Sequence, residues 1–135
     1  MRNLALKIEQ ALQAIERERG LFKVKCLVSQ DAGDRQWDLI LWADWFETDE
    51  LQRLNYLTEK IVRPLDEETM AQFNAIITFG PNDDNELLRS LRMIQDRHEN
   101  FAYPMGWDAD VMEIPTSLPQ ARFVVPLSRP QKAAA

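Results

Sequence analysis

Between Asn3 and Arg19 the apolar residues Leu4, Ile8, Leu12 and Ile15 recur at spacings of four and three, with Ala5 and Ala11 beside them, which draws one apolar stripe along a helix. Asn3 suits the start of that helix, and Gly20 can take the left-handed conformation that ends a helix without a Cβ penalty. After Gly20 the period changes to two. Phe22, Val24, Cys26 and Val28 fall on one face of an extended segment, with Lys23, Lys25 and Ser29 on the other. Past the turn-rich stretch Asp31 to Arg35, a second alternating run places Trp37, Leu39, Leu41, Ala43 and Trp45 on one face and Asp38, Ile40, Trp42 and Asp44 opposite, so an antiparallel hairpin is expected. Matching the two apolar faces gives a register of Phe22 with Trp45, Val24 with Ala43, Cys26 with Leu41 and Val28 with Leu39, and it also sets Lys23 opposite Asp44.

Thr48 is the expected cap of a second helix over about Thr48 to Val62, where Leu51, Leu54, Leu57 and Ile61 keep helical spacing up to Arg63-Pro64. Asp66-Glu67-Glu68 opens a short helical turn through Met70. The β-branched run Ala75 to Phe79 reads as a buried strand closed by Gly80-Pro81. Asp83, with Glu86 three residues on, has the form of a capping box before Leu87, Leu88, Leu91 and Ile94, and starts a third main helix to about His98. Two short strands follow, Val111 to Ile114 and Ala121 to Leu127, with Pro115 and Pro119 between them. Prolines there belong to edge strands or a loose hairpin.

The resulting order, α-β-β-α-α-β-α-β-β, combines an antiparallel hairpin with a strand-helix-strand segment. It predicts an α+β domain over residues 1–128: a mixed sheet of about five strands with three main helices packed mostly on one face. Residues 129–135, with Pro130 and three alanines, have little to bury and are expected to be disordered.

Composition narrows the function. The 135 residues hold 22 Asp and Glu against 16 Lys and Arg, a formal net charge of -6, which argues against nucleic acid or an anionic membrane as partner and slightly favours a basic protein. Glu9, Glu16 and Glu18 interrupt every apolar stretch near the start that could act as a leader, no run approaches a membrane span, and Cys26 is the lone cysteine; a cytoplasmic protein is expected. One histidine and one cysteine cannot assemble a four-ligand zinc set, and the acidic 82–86 segment lacks the glycine and glutamate of a calcium loop, so neither metal nor cofactor is expected.

The stretch Trp37 to Trp45 holds three of the four tryptophans. Alternation assigns Trp37 and Trp45 to the core, and leaves Trp42 among charges, either covered by a loop or presented to a partner. Asp38 and Asp44, six residues apart on a strand, lie roughly 20 Å apart and cannot act as a carboxylate pair. A Cys26–His98 nucleophile pair is formally open to the sequence, but Cys26 falls on the dry face and reads as an inert core thiol. Phe101, Tyr103, Met105 and Trp107 lie in a loop that either caps the core or covers a ligand. The reading favoured is a non-enzymatic interaction or regulatory protein, of inhibitor or immunity type, with Asp38, Trp42, Asp44, Tyr103 and Trp107 as contact residues for a protein partner or a second copy. The alternative is a small-molecule binder or enzyme with an aromatic pocket between Trp42 and the 101–107 loop.

Overall fold

The computed structural model describes residues 2–30, 36–46, 49–100, 114–118 and 121–127. Helix α1, Arg2–Arg19, buries Leu4, Ile8, Leu12 and Ile15 in the predicted stripe. Gly20 closes it at φ 124, and its N–H donates to the Glu16 carbonyl. A side chain here is doubly disfavoured, because an added Cβ would also meet the Trp45 ring at 3.1 Å.

Strands β1, Val24–Ser29, and β2, Trp37–Trp42, form the expected hairpin, but one residue out of the expected register. Val24 opposes Trp42, Cys26 opposes Ile40 and Leu27 opposes Leu39. The apolar set Val24, Cys26 and Val28 therefore shares a face with Ile40 and Trp42, not with Leu39 and Leu41. The shift is tolerated because both faces of these strands are covered. The run Cys26-Leu27-Val28 is buried throughout, as is Leu39-Ile40-Leu41, so a slip exposes no apolar set. Strand β2 also ends earlier than its alternation suggests, and Trp45 lies in a turn beyond it rather than in the ladder.

Asp49, rather than Thr48, caps α2, Glu50–Leu57, its carboxylate accepting from the N–H groups of Leu51 and Gln52. The helix widens into a π segment, Thr58–Val62. The buried positions on this element are Arg53, Leu57 and Ile61, four apart; Leu51, expected in the stripe, is exposed. Asp66 caps the single turn α3, Glu67–Met70, which leads into β3, Phe73–Thr78. Helix α4, Glu86–Asn100, is capped by Asn85, whose Oδ1 accepts from Leu88 N–H at 2.9 Å, not by Asp83. Asp83 instead closes the preceding turn, accepting from Gly80 N–H at 2.7 Å.

Strands β4, Ile114–Leu118, and β5, Ala121–Pro126, complete a five-stranded mixed sheet in the order β3-β2-β1-β5-β4, in which only β2 and β3 run parallel. The α+β class, the element order and the mixed sheet are as the sequence predicts. Pro115 lies inside β4, which starts at Ile114 instead of ending there, and β4 is an edge strand. The carboxyl-terminal tail expected to be disordered lies outside the described residues.

The core has two parts. On one face, α1 and the α2–π element lay Leu4, Ile8, Leu12, Leu57 and Ile61 over Leu27, Leu39, Leu41 and Val125. On the other, α4 lays Leu88 and Leu91 over Val24, Cys26, Ile40 and Val124. Each fully buried leucine or isoleucine contributes roughly 1.5–3 kcal/mol.

Candidate functional site

Strand β2 and the turn after it carry three of the residues singled out as contacts, Asp38 and Trp42 in the strand and Asp44 beyond it. Asp38, near the start of the strand, accepts from Asn74 Nδ2 on β3 at 2.8 Å. Trp42, at its end, is half-buried against the α4-side core. Its indole N–H donates to the Gly80 carbonyl at 2.9 Å, and the Lys23 ammonium sits 4.4 Å from the ring centre. Asp44, just beyond the strand, pairs with that same Lys23 and is largely exposed. Trp42, Asp44, Lys23 and Gly80 thus form one group, and Asp38 stands apart from it. Tyr103 and Trp107, with the rest of the 101–107 loop, lie outside the described residues.

The position of this group follows from topology. The chain leaves β2 for α2 on one face of the sheet and leaves the parallel neighbour β3 for α4 on the other. The carboxyl ends of the two strands are therefore where the chain parts toward opposite faces. Trp42 ties the two exits together through Gly80. From the first turns of α2, the buried Arg53 donates from Nε to Thr78 Oγ1 at 2.9 Å, and its guanidinium lies 5.5 Å from the Phe46 ring centre. Sequence reading missed Arg53 as an inward residue. Its spacing of four from Leu57 and Ile61 was the available signal.

The opposite side of Gly20 holds an aromatic group. Trp45 meets Phe22, Phe46 and Tyr56 edge to face, with centroids 5.3, 4.9 and 6.4 Å away, and donates from its indole N–H to the Gly20 carbonyl at 3.0 Å. Arg19 lies about equally close to the Trp45 and Tyr56 rings, at 5.0 and 4.8 Å. Beside it the ion pair Glu16–Lys25, at 2.8 Å, is largely buried, and the second Glu16 oxygen accepts from Phe22 N–H. These contacts rivet the end of α1 to the sheet. They place no nucleophile beside a base.

Charge is unevenly distributed. Between Asp44 and Glu86 the chain has eleven Asp and Glu against three Lys and Arg, a balance of -8, more than the -6 of the whole chain. Exposed members are Asp44, Asp49 and Glu50 after β2, Asp66, Glu67 and Glu68 before β3, Asp83, Asp84 and Glu86 after it, and Glu59, which pairs with Arg63. Asp66 is engaged by Lys7, which with the Thr69 hydroxyl and N–H holds its carboxyl well below the usual carboxylate range. Asp84 pairs with Arg89 at 2.8 Å. One of the three cations, Arg53, is buried. Along the chain the acidic excess therefore follows β2 and flanks β3 on both sides, and Lys7, Lys23 and Arg89 from outside the segment pair with Asp66, Asp44 and Asp84.

Other candidate chemistry is dispersed. Cys26 is fully buried under α4, its thiol 3.8 Å from Gln95 Oε1, and His98 is buried on the same helix. Among the described residues no three His, Cys, Asp or Glu side chains converge as a metal site, and no helix is long and apolar enough to cross a membrane. A shallow hollow of about 290 Å³ lies on α1, lined by Gln13, Glu16, Arg17 and Leu21, away from Trp42. No family model matches the chain, and neither a curated protein nor a solved structure matches it.

Proposed function

We propose that this chain is a non-enzymatic interaction protein that binds a basic protein, as an inhibitor, immunity-type partner or regulator does. The observation that carries this reading is the concentration of acidic side chains around β3 and the carboxyl ends of β2. A field of one sign over one region steers an oppositely charged partner and raises its association rate. Trp42 and Asp44 border this region, and a half-exposed indole rimmed by charge has the composition of an interface anchor. Asp38 lies at the other end of the strand and belongs to the same contact surface only for a partner that spans β2.

The test is recovery of proteins from native lysate on the immobilised full chain. The recovered set should be enriched in basic proteins and released by raised salt. A variant carrying Glu67→Lys, Glu68→Lys and Asp83→Lys should lose it, and Trp42→Ala should weaken it while leaving the circular dichroism spectrum unchanged. Recovery of nothing above background, or of proteins no more basic than the lysate at large, overturns the reading.

A further inference from the structure

The sheet has two edges, and they are protected differently. Natural edge strands are blunted by proline, charge or a bulge, because an unpaired row of N–H and C=O groups is a template for another strand. Strand β4 has these devices: Pro115 lies within it, and its pairing with β5 shifts register between Pro115 and Leu118. Strand β3, with the sequence Phe-Asn-Ala-Ile-Ile-Thr, has no proline and no charge, and among the described residues no strand lies on its outer side. Its one irregularity falls at its start, between Trp37 and Asp38 of the neighbouring strand, so from Ala75 onward the ladder is regular. Asn74 and Ile77 are exposed, and Ala75 and Ile76 half-buried.

We propose that the outer edge of β3 docks an extended segment of the partner protein as a sixth strand, with an apolar, β-branched centre and Lys or Arg at its ends. This rests on the basic-partner reading above and names the surface that serves it. Main-chain hydrogen bonds to the edge supply affinity, and the alternate side chains and flanking charges supply selectivity. The flanks decide what fits. Exposed Glu67 and Glu68 stand two turns before the strand and Asp83 after it, which matches cationic ends on an incoming segment. A second copy of this chain is a poor match. A centred antiparallel pairing sets Phe73 opposite Thr78 and directs Glu68 of each copy toward Asp83 of the other, opposing like charges at both ends.

A synthetic peptide of alternating Val and Thr with paired Lys at each end tests this on the full chain, read by fluorescence anisotropy and by hydrogen exchange of the amides of residues 74–78. The peptide should bind, slow exchange along β3, and lose about tenfold in affinity when those of its amides that face β3 are N-methylated, since the carbonyls of the edge then lose the donors that pair with them. Ile77→Lys, a charge placed on the edge, should have the same effect. The methylated peptide needs no change in the protein, so it separates edge docking from misfolding of the variant. Undiminished binding of the methylated peptide, or equal binding of a peptide with Glu ends, overturns edge docking. Failure of the Lys-ended peptide to bind overturns it too. In each case recovery of basic proteins from lysate stands as a separate result. Concentration-dependent protection of β3 without peptide overturns it in favour of a second copy.

Discussion

The two faces of the sheet are dry for different reasons. On one face, α1 and the α2–π element cover the strands together, and the leucine and isoleucine layer is closed at its end by the Trp45 aromatic group and the Glu16–Lys25 pair. On the other, α4 is the one helix that covers the strands among the described residues, and where its apolar contacts stop it uses a side-chain amide. Leu127 N–H reaches the Lys25 carbonyl, but the Lys25 N–H turns to Gln95 Oε1 at 2.9 Å, while Gln95 Nε2 donates to the Lys23 carbonyl at 3.0 Å. Gln95 thus completes the β1 ladder where β5 ends. A face held by several elements resists the loss of one contact through rigidity. A face held by one helix depends on the helix staying in register.

That contrast can be broken most directly by truncating a fully buried leucine on each side. Leu39→Ala and Leu91→Ala should both destabilise within the ~2–5 kcal/mol range of such changes, with Leu39→Ala the costlier because a single helix can settle into the gap left by Leu91, whereas α1 and the α2–π element packed together cannot. Urea denaturation gives both values; an equal or inverted order removes the distinction. Lys25→Met leaves the Glu16 carboxylate in a largely buried site without its cation, and should cost about 3 kcal/mol by the same assay. A loss no larger than that of an exposed pair would mean the site is wetter than its geometry implies.

Gln95→Leu keeps the volume but leaves Lys25 N–H and the Lys23 carbonyl without this partner, a cost of about 1–3 kcal/mol. It should also speed exchange of the Lys25 amide more than that of Leu39; uniform acceleration would assign Gln95 no local role. The smallest effect lies at the surface, where Lys7 joins α1 to α3. The Asp66 carboxyl is lowered in the fold, so what it contributes is present above its ordinary value of 3.8 and is lost as pH falls toward its lower folded value. Asp66→Asn should therefore reduce stability slightly at neutral pH and flatten the acid side of the stability profile. An unchanged acid limb would show that solvent screens the pair.

The candidate surface was legible only in part. The excess of acid was plain in the composition, but its concentration between Asp44 and Glu86 acquires meaning once β3 is the outermost strand among the described residues, because part of that excess then flanks the edge in the chain. Trp42 stands out in the sequence as an indole among charges. Its bond to Gly80 crosses 38 residues of chain and joins two loops that nothing local relates. Asp83 illustrates the same limit in miniature. Its spacing from Glu86 imitates a capping box, yet the carboxylate closes the Gly80 turn and the neighbouring Asn85 caps the helix. Both are short-range solutions to the same unsatisfied N–H groups, and spacing does not choose between them.

Local chemistry alone determined the elements and their order: the stripe of α1, the left-handed Gly20, the β-branched run of β3 and the proline, Pro115, that suits β4 to an edge. Each follows from periodicity or backbone sterics within a few residues. Tertiary structure decided which face each strand presents and how the hairpin is registered. Where a strand is apolar on both sides, shifting its partner by one residue exposes nothing, and only the helices packed above and below select the alignment.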